Sequence, residues 1–81
     1  QRRARREEQR AQRAEEARQQ RVAELEAEIH RLEREMKEME GQILAASAEQ
    51  EAMRVHELSA LYGDLESQLQ ERLELWAELA G

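Results

Sequence analysis

The amino-acid sequence predicts an all-α protein: an antiparallel two-helix coiled-coil hairpin with a basic helical extension at its N-terminus. Three observations carry this reading. The 81-residue chain has no Pro, only three Gly and 40 % charged residues, and a composition rich in Ala, Glu, Arg, Leu and Gln suits long helices. Its apolar residues recur at alternating spacings of three and four, which places them on one seam of a helix. That seam occurs twice, with one break of register between the two series.

The first element is the basic stretch 1–13, "QRRARREEQRAQR", expected to be a helical extension or linker. Residues 1–21 hold eight arginines against Glu7, Glu8, Glu15 and Glu16, a balance of +4, whereas residues 22–81 balance to −10. The hairpin proper is expected over 14–81. Its first helix runs from about 14 to 44, carrying Val22, Leu25, Ile29, Leu32, Met36, Met39 and Ile43 in unbroken heptad register.

A reversal is expected near 44–48. Ser47 followed by Gln50 has the spacing of a capping box, in which the hydroxyl takes one free N–H of the new helix and the amide returns to the serine N–H. Gly41, Ala45 and Ala46 just before it let the first helix end. The second helix then runs from about 48 to 80 with the series Val55, Leu58, Tyr62, Leu65, Leu69, Trp76 and Leu79, and Arg72 as its one polar member. Gly63 is the rival turn, but a reversal there leaves too short a return to cover the first seam. It is read instead as a mid-helix glycine, which costs about 1 kcal/mol relative to Ala and often marks close approach of a neighbouring backbone.

Folding back at 46 sets Trp76 opposite residues 14–18, where Ala11, Ala14 and Ala17 leave room for an indole. Roughly the first ten residues then overhang, and the particle is roughly 65 Å long, against about 120 Å for one continuous helix. Leu61, Leu73 and Leu75 flank the second seam and suggest weak self-association or another partner. The glutamates bordering the first seam (Glu26, Glu28, Glu33, Glu35, Glu40) face no basic residue at the flanking positions of the second helix, so burial along the seam is expected to hold the pair together.

Catalytic chemistry is not expected of this segment. It has no Gly-rich phosphate loop, no nucleophile elbow and no cysteine, and two helices alone form no pocket that would desolvate a carboxylate pair. His30 beside Glu26 and Glu33 is a weak metal candidate, set aside in favour of a solvated flank. No cofactor is expected. No apolar run approaches the roughly 20 residues of a membrane span, and no membrane partner is expected. Because the chain opens on Gln1 rather than Met, it is expected to be a fragment of something larger.

The basic residues have a geometry of their own. With Val22 as heptad position a, residues Arg2, Arg3, Arg6, Arg10, Arg13, Arg31, Arg34 and Lys37 fall at positions b, c or f, away from the seam. A helix with guanidinium groups outward along its length can track phosphates. These eight are the candidate nucleic-acid-binding residues. For Arg31, Arg34 and Lys37 a solvated face laced with i,i+4 pairs such as Glu33–Lys37 is the favoured alternative.

The stretches "RVAELEAEIHRLEREMKEME" and "VHELSALYGDLESQLQERLELWAEL", with Tyr62 and a Trp and Leu closing the second helix, resemble the C-terminal coiled-coil domain of Uup-type ABC-F ATPases. Two positions depart from that family's pattern. Ser47-Ala48 stands where Asp-Pro is usual, and Leu75 stands where an Arg usually precedes the Trp. The resemblance implies a cytoplasmic protein with two nucleotide-binding domains upstream, in which ATP is bound and hydrolysed. It implies DNA as the partner of this domain, branched or without sequence preference, with the ribosome or its RNA as the other expectation. A structural spacer or protein-docking coiled coil is the competing function.

Overall fold

The computed structural model describes residues 1–81 as two helices, α1 (Arg2–Ala48) and α2 (Ala52–Ala80). They fold back on each other along one seam, so the fold is the expected all-α hairpin, 73 × 16 × 14 Å in extent. Both helices are long because nothing breaks them: there is no Pro, and Gly41 and Gly63 lie inside helices.

Three contacts across the hairpin fix its register. The Arg72 Nε donates to Glu28 Oε2 at 2.8 Å, the Tyr62 hydroxyl donates to Glu40 Oε1 at 2.8 Å, and the Arg18 guanidinium donates to the Leu79 carbonyl at 2.6 Å. In this register the two seams interleave as layers of an antiparallel coiled coil. Extending the register set by those bonds heptad by heptad places Ala46 opposite Val55, Ile43 opposite Leu58, Met39 opposite Tyr62, Met36 opposite Leu65, and Leu32 opposite Leu69. Ile29 then falls opposite Arg72, Leu25 opposite Trp76, and Val22 opposite Leu79. Buried side chains are confined to this seam: Leu25, Ile29, Leu32, Ala46 and Leu58, with Leu25 and Leu32 wholly enclosed. Two helices cover only one stripe of each other, so most seam residues stay half-buried.

The reversal lies later than the 44–48 expected from sequence. α1 continues through Ser47 to Ala48, and neither helix has a side-chain cap. The turn is instead built from backbone. The Gln50 N–H donates to the Ser47 carbonyl at 3.0 Å and the Glu51 N–H to the Ala46 carbonyl at 3.0 Å. Gln50 takes the left-handed conformation at φ 58. This is a Schellman ending with glutamine at the position usually held by glycine. The register explains the difference: carrying α1 onward adds Ala46 as one more seam layer, a buried residue small enough for the chain to return beside it.

Moving the reversal from 46 to 50 moves every partner by twice that distance. Trp76 therefore does not lie against Ala14 and Ala17, which are exposed; it sits beside Glu26 and Ile29 and stays 37 % exposed. The overhang is correspondingly longer than the first ten residues. Gly63 is mid-helical as expected, but a Cβ there would meet nothing within 4 Å, so close backbone approach is not its reason. Border glutamates do find partners across the hairpin: Glu28 and Glu40 are held by Arg72 and Tyr62, which are seam residues reaching outward. Considering flanking positions alone conceals this.

Candidate nucleic-acid interface

α1 outruns α2. The last bond between them is made by Arg18, whose guanidinium also pairs with Glu15, with Nε to Oε2 at 2.9 Å. Arg18 occupies a seam position one layer beyond Val22. There it meets the C-terminal end of α2, where free carbonyls and the negative end of the helix dipole favour a cation. Its carboxylate partner Glu15 has its pKa lowered by the hydrogen bond from Arg18. Arg18 thus closes the hairpin. Spacing did not single it out; the signal available was a basic residue at a seam position directly preceding the apolar series.

Residues 2–17 beyond this closure are helical and exposed. Arg2, Arg3, Arg6, Arg10 and Arg13 lie on the face of this free helix away from the seam, and none of them makes an ion pair or side-chain hydrogen bond. Arg2, Arg3, Arg6 and Arg10 line one shallow surface with Glu7. From Arg2 to Arg13 the row is about 16 Å long at the helical rise. Ala4, Glu8, Ala11 and Glu15 continue the seam face on the opposite side, so two of the segment's four acids lie away from the arginine row, while Glu7 borders it.

The second group does not join the first. Arg31, Arg34 and Lys37 lie along the hairpin body, within the acidic part of the chain. Arg31 is engaged by Glu35 at 3.0 Å. The Glu33–Lys37 pair expected from spacing is not made; Glu33 lies instead 3.7 Å from His30 Nδ1. No three His, Cys, Asp or Glu side chains come together in a way that could hold a metal ion. No helix is long and apolar enough to cross a membrane.

The flanking leucines are also divided. Leu73 shares one side of the hairpin with Trp76, Ile29 and Glu26. Leu61 lies on the other side beside Met39 and Leu65, and Leu75, on that same side by heptad position, is half-buried. The three do not form one continuous apolar face. Comparison with protein-family models, curated proteins and solved structures gives no match.

Proposed function

We propose that the free arginine helix binds nucleic-acid phosphates, and that the hairpin is the rigid arm that presents it. The single observation that carries this reading is the row Arg2, Arg3, Arg6, Arg10 and Arg13. It comprises five guanidiniums without intramolecular partners, on one face of a helix that no other element covers. Guanidinium groups fit phosphate oxygens in pairs of hydrogen bonds, and contacts to the backbone alone give affinity without sequence readout. The favoured ligand is DNA, with ribosomal RNA as the other polyphosphate of the same chemistry. In keeping with the resemblance to the coiled-coil domain of Uup-type ABC-F ATPases, the segment serves as a non-catalytic, cytoplasmic accessory domain that holds no cofactor of its own. Arg31, Arg34 and Lys37 play a minor part, because Arg31 is already paired and the surrounding hairpin is acidic.

Titration of duplex and branched DNA, and of RNA, at about 50 and about 200 mM salt tests this. Five phosphate contacts predict a binding constant that falls by roughly a few hundred-fold over that range. Changing the five overhang arginines to Gln, which keeps helix propensity, should abolish binding, whereas changing Arg31, Arg34 and Lys37 to Gln should lower it only slightly. Binding indifferent to salt or to the five substitutions would sink the proposal. A protein-docking arm is the second reading, favoured by the exposure of Leu61 and Trp76; partner binding that survives removal of residues 1–13 would support it.

A further inference from the structure

The hairpin carries a second surface that matches the arginine helix. On the side formed by heptad position e of both helices stand Glu26, Glu33 and Glu40 from α1 and Glu66 from α2. Glu40 accepts the Tyr62 hydroxyl and Glu33 lies near His30, while Glu26 and Glu66 have no ion-pair partner. Within the same flank Trp76, 37 % exposed, and Leu73, 39 % exposed, form an open apolar shelf beside Ile29, His30 and Glu26. Exposed indole next to an unpaired carboxylate is a site for a guanidinium, which can stack on the ring and pair with the acid at once.

We infer that this flank receives the arginine helix of a second copy of the chain. The overhang cannot reach its own flank, because it continues rigidly along the axis of α1 past the end of α2. A second copy in antiparallel orientation brings its overhang alongside the first hairpin. Arg2, Arg3, Arg6, Arg10 and Arg13 then lie against Glu26 and Glu33, with Trp76 beneath them. The two-fold axis makes the contact twice and closes the assembly. Charge complementarity favours it: residues 1–21 balance to +4 and residues 22–81 to −10. The same arginines serve phosphates in the function proposed above, so the dimer and the nucleic-acid complex exclude each other. The dimer itself does not depend on that function.

The experiment uses the 81-residue chain without nucleic acid. Sedimentation equilibrium over a range of protein concentrations, at about 20 and about 300 mM salt, reads the oligomeric state across a large change in screening length. A dimer is expected at low salt, with Trp76 emission blue-shifted and protected from a soluble quencher as it forms, and a monomer at high salt. Glu26→Lys with Glu33→Lys should abolish the dimer, as should Arg6→Glu with Arg10→Glu. Mixing the two variants should give a heterodimer, because both docking contacts become complementary again: the unchanged arm meets the unchanged flank, and the reversed arm meets the reversed flank. Trp76→Leu, which keeps an apolar seam residue, should weaken the dimer at least several-fold while the helical signal persists. A monomer under all conditions, a dimer strengthened by salt, open-ended oligomers, or failure of the mixed charge variants to associate would overturn the inference. If phosphate binding fails while the dimer forms, only the nucleic-acid function is lost; the converse removes only the dimer.

Discussion

Tyr62 and Trp76 show how single seam residues act in a hairpin this thin. Tyr62 keeps its ring in the seam and extends its hydroxyl to Glu40 at 2.8 Å. That hydrogen bond, aided by partial desolvation and the carboxylate charge, raises the phenol pKa above its ordinary value of 10.0. The folded-state value exceeds the unfolded one. The neutral phenol therefore stabilises the fold below about pH 10, and this contribution is lost as pH rises through the folded value. Tyr62 is the single tyrosine, so an absorbance titration reports it without overlap. Its midpoint should lie above that of the unfolded chain and drop toward the ordinary value in Glu40→Gln. An unchanged midpoint in that variant would remove the charge of Glu40 from the account. Trp76 has less at stake in packing than its size suggests. Leu25→Ala, at a wholly enclosed position, should cost about 2–4 kcal/mol. Trp76→Ala, at a site more than a third exposed, should cost about 1–2 kcal/mol. Chemical denaturation of the two variants checks that order.

At the level of elements, the seams were legible in the sequence and the turn was not. Heptad spacing reports which face of a helix is apolar, and every buried side chain except Ala46 belongs to the two apolar series read from that spacing. The turn depends on a backbone conformation, and its usual marker, a glycine in the left-handed region, is absent. Ser47 and Gln50 have the spacing of a capping box, yet the extra seam layer at Ala46 outweighs the cap. The arginine face was legible because charge position follows from the same heptad count; its degree of freedom was not, because that depends on where α2 ends. Gln50→Gly should stabilise the hairpin by about 1 kcal/mol, since glycine adopts the left-handed conformation without the Cβ penalty. Gly63→Ala should stabilise it by up to about 1 kcal/mol, since a Cβ there meets nothing within 4 Å and helix propensity improves. Thermal melts followed by circular dichroism measure both. A loss of stability in Gln50→Gly would contradict the backbone-built turn.

At the scale of the whole molecule, the length of α1 separates stability from binding. α1 has 47 residues and α2 has 29, and the surplus lies at the N-terminal end, outside the closure made by Arg18. Residues 2–17 contribute no buried side chain and no bond to α2, so their helix is held by propensity and by continuity with the packed part. An unsupported helix of that length is marginal in water and frays from its free end. Amides of residues 2–13 should therefore exchange far faster than those around Leu25 and Leu32. Scattering should give a maximum dimension near the 73 Å of the extended molecule for the monomer at high salt, slightly less as the end frays. For the monomer at high salt, removing residues 1–13 should shorten the particle by about 20 Å at the helical rise and change the unfolding free energy by no more than about 0.5 kcal/mol. It should eliminate phosphate binding. A large loss of stability on that truncation would mean that the arginine segment packs against the hairpin rather than standing free of it. The row Arg2–Arg13 would then be a structural face with its charges already engaged.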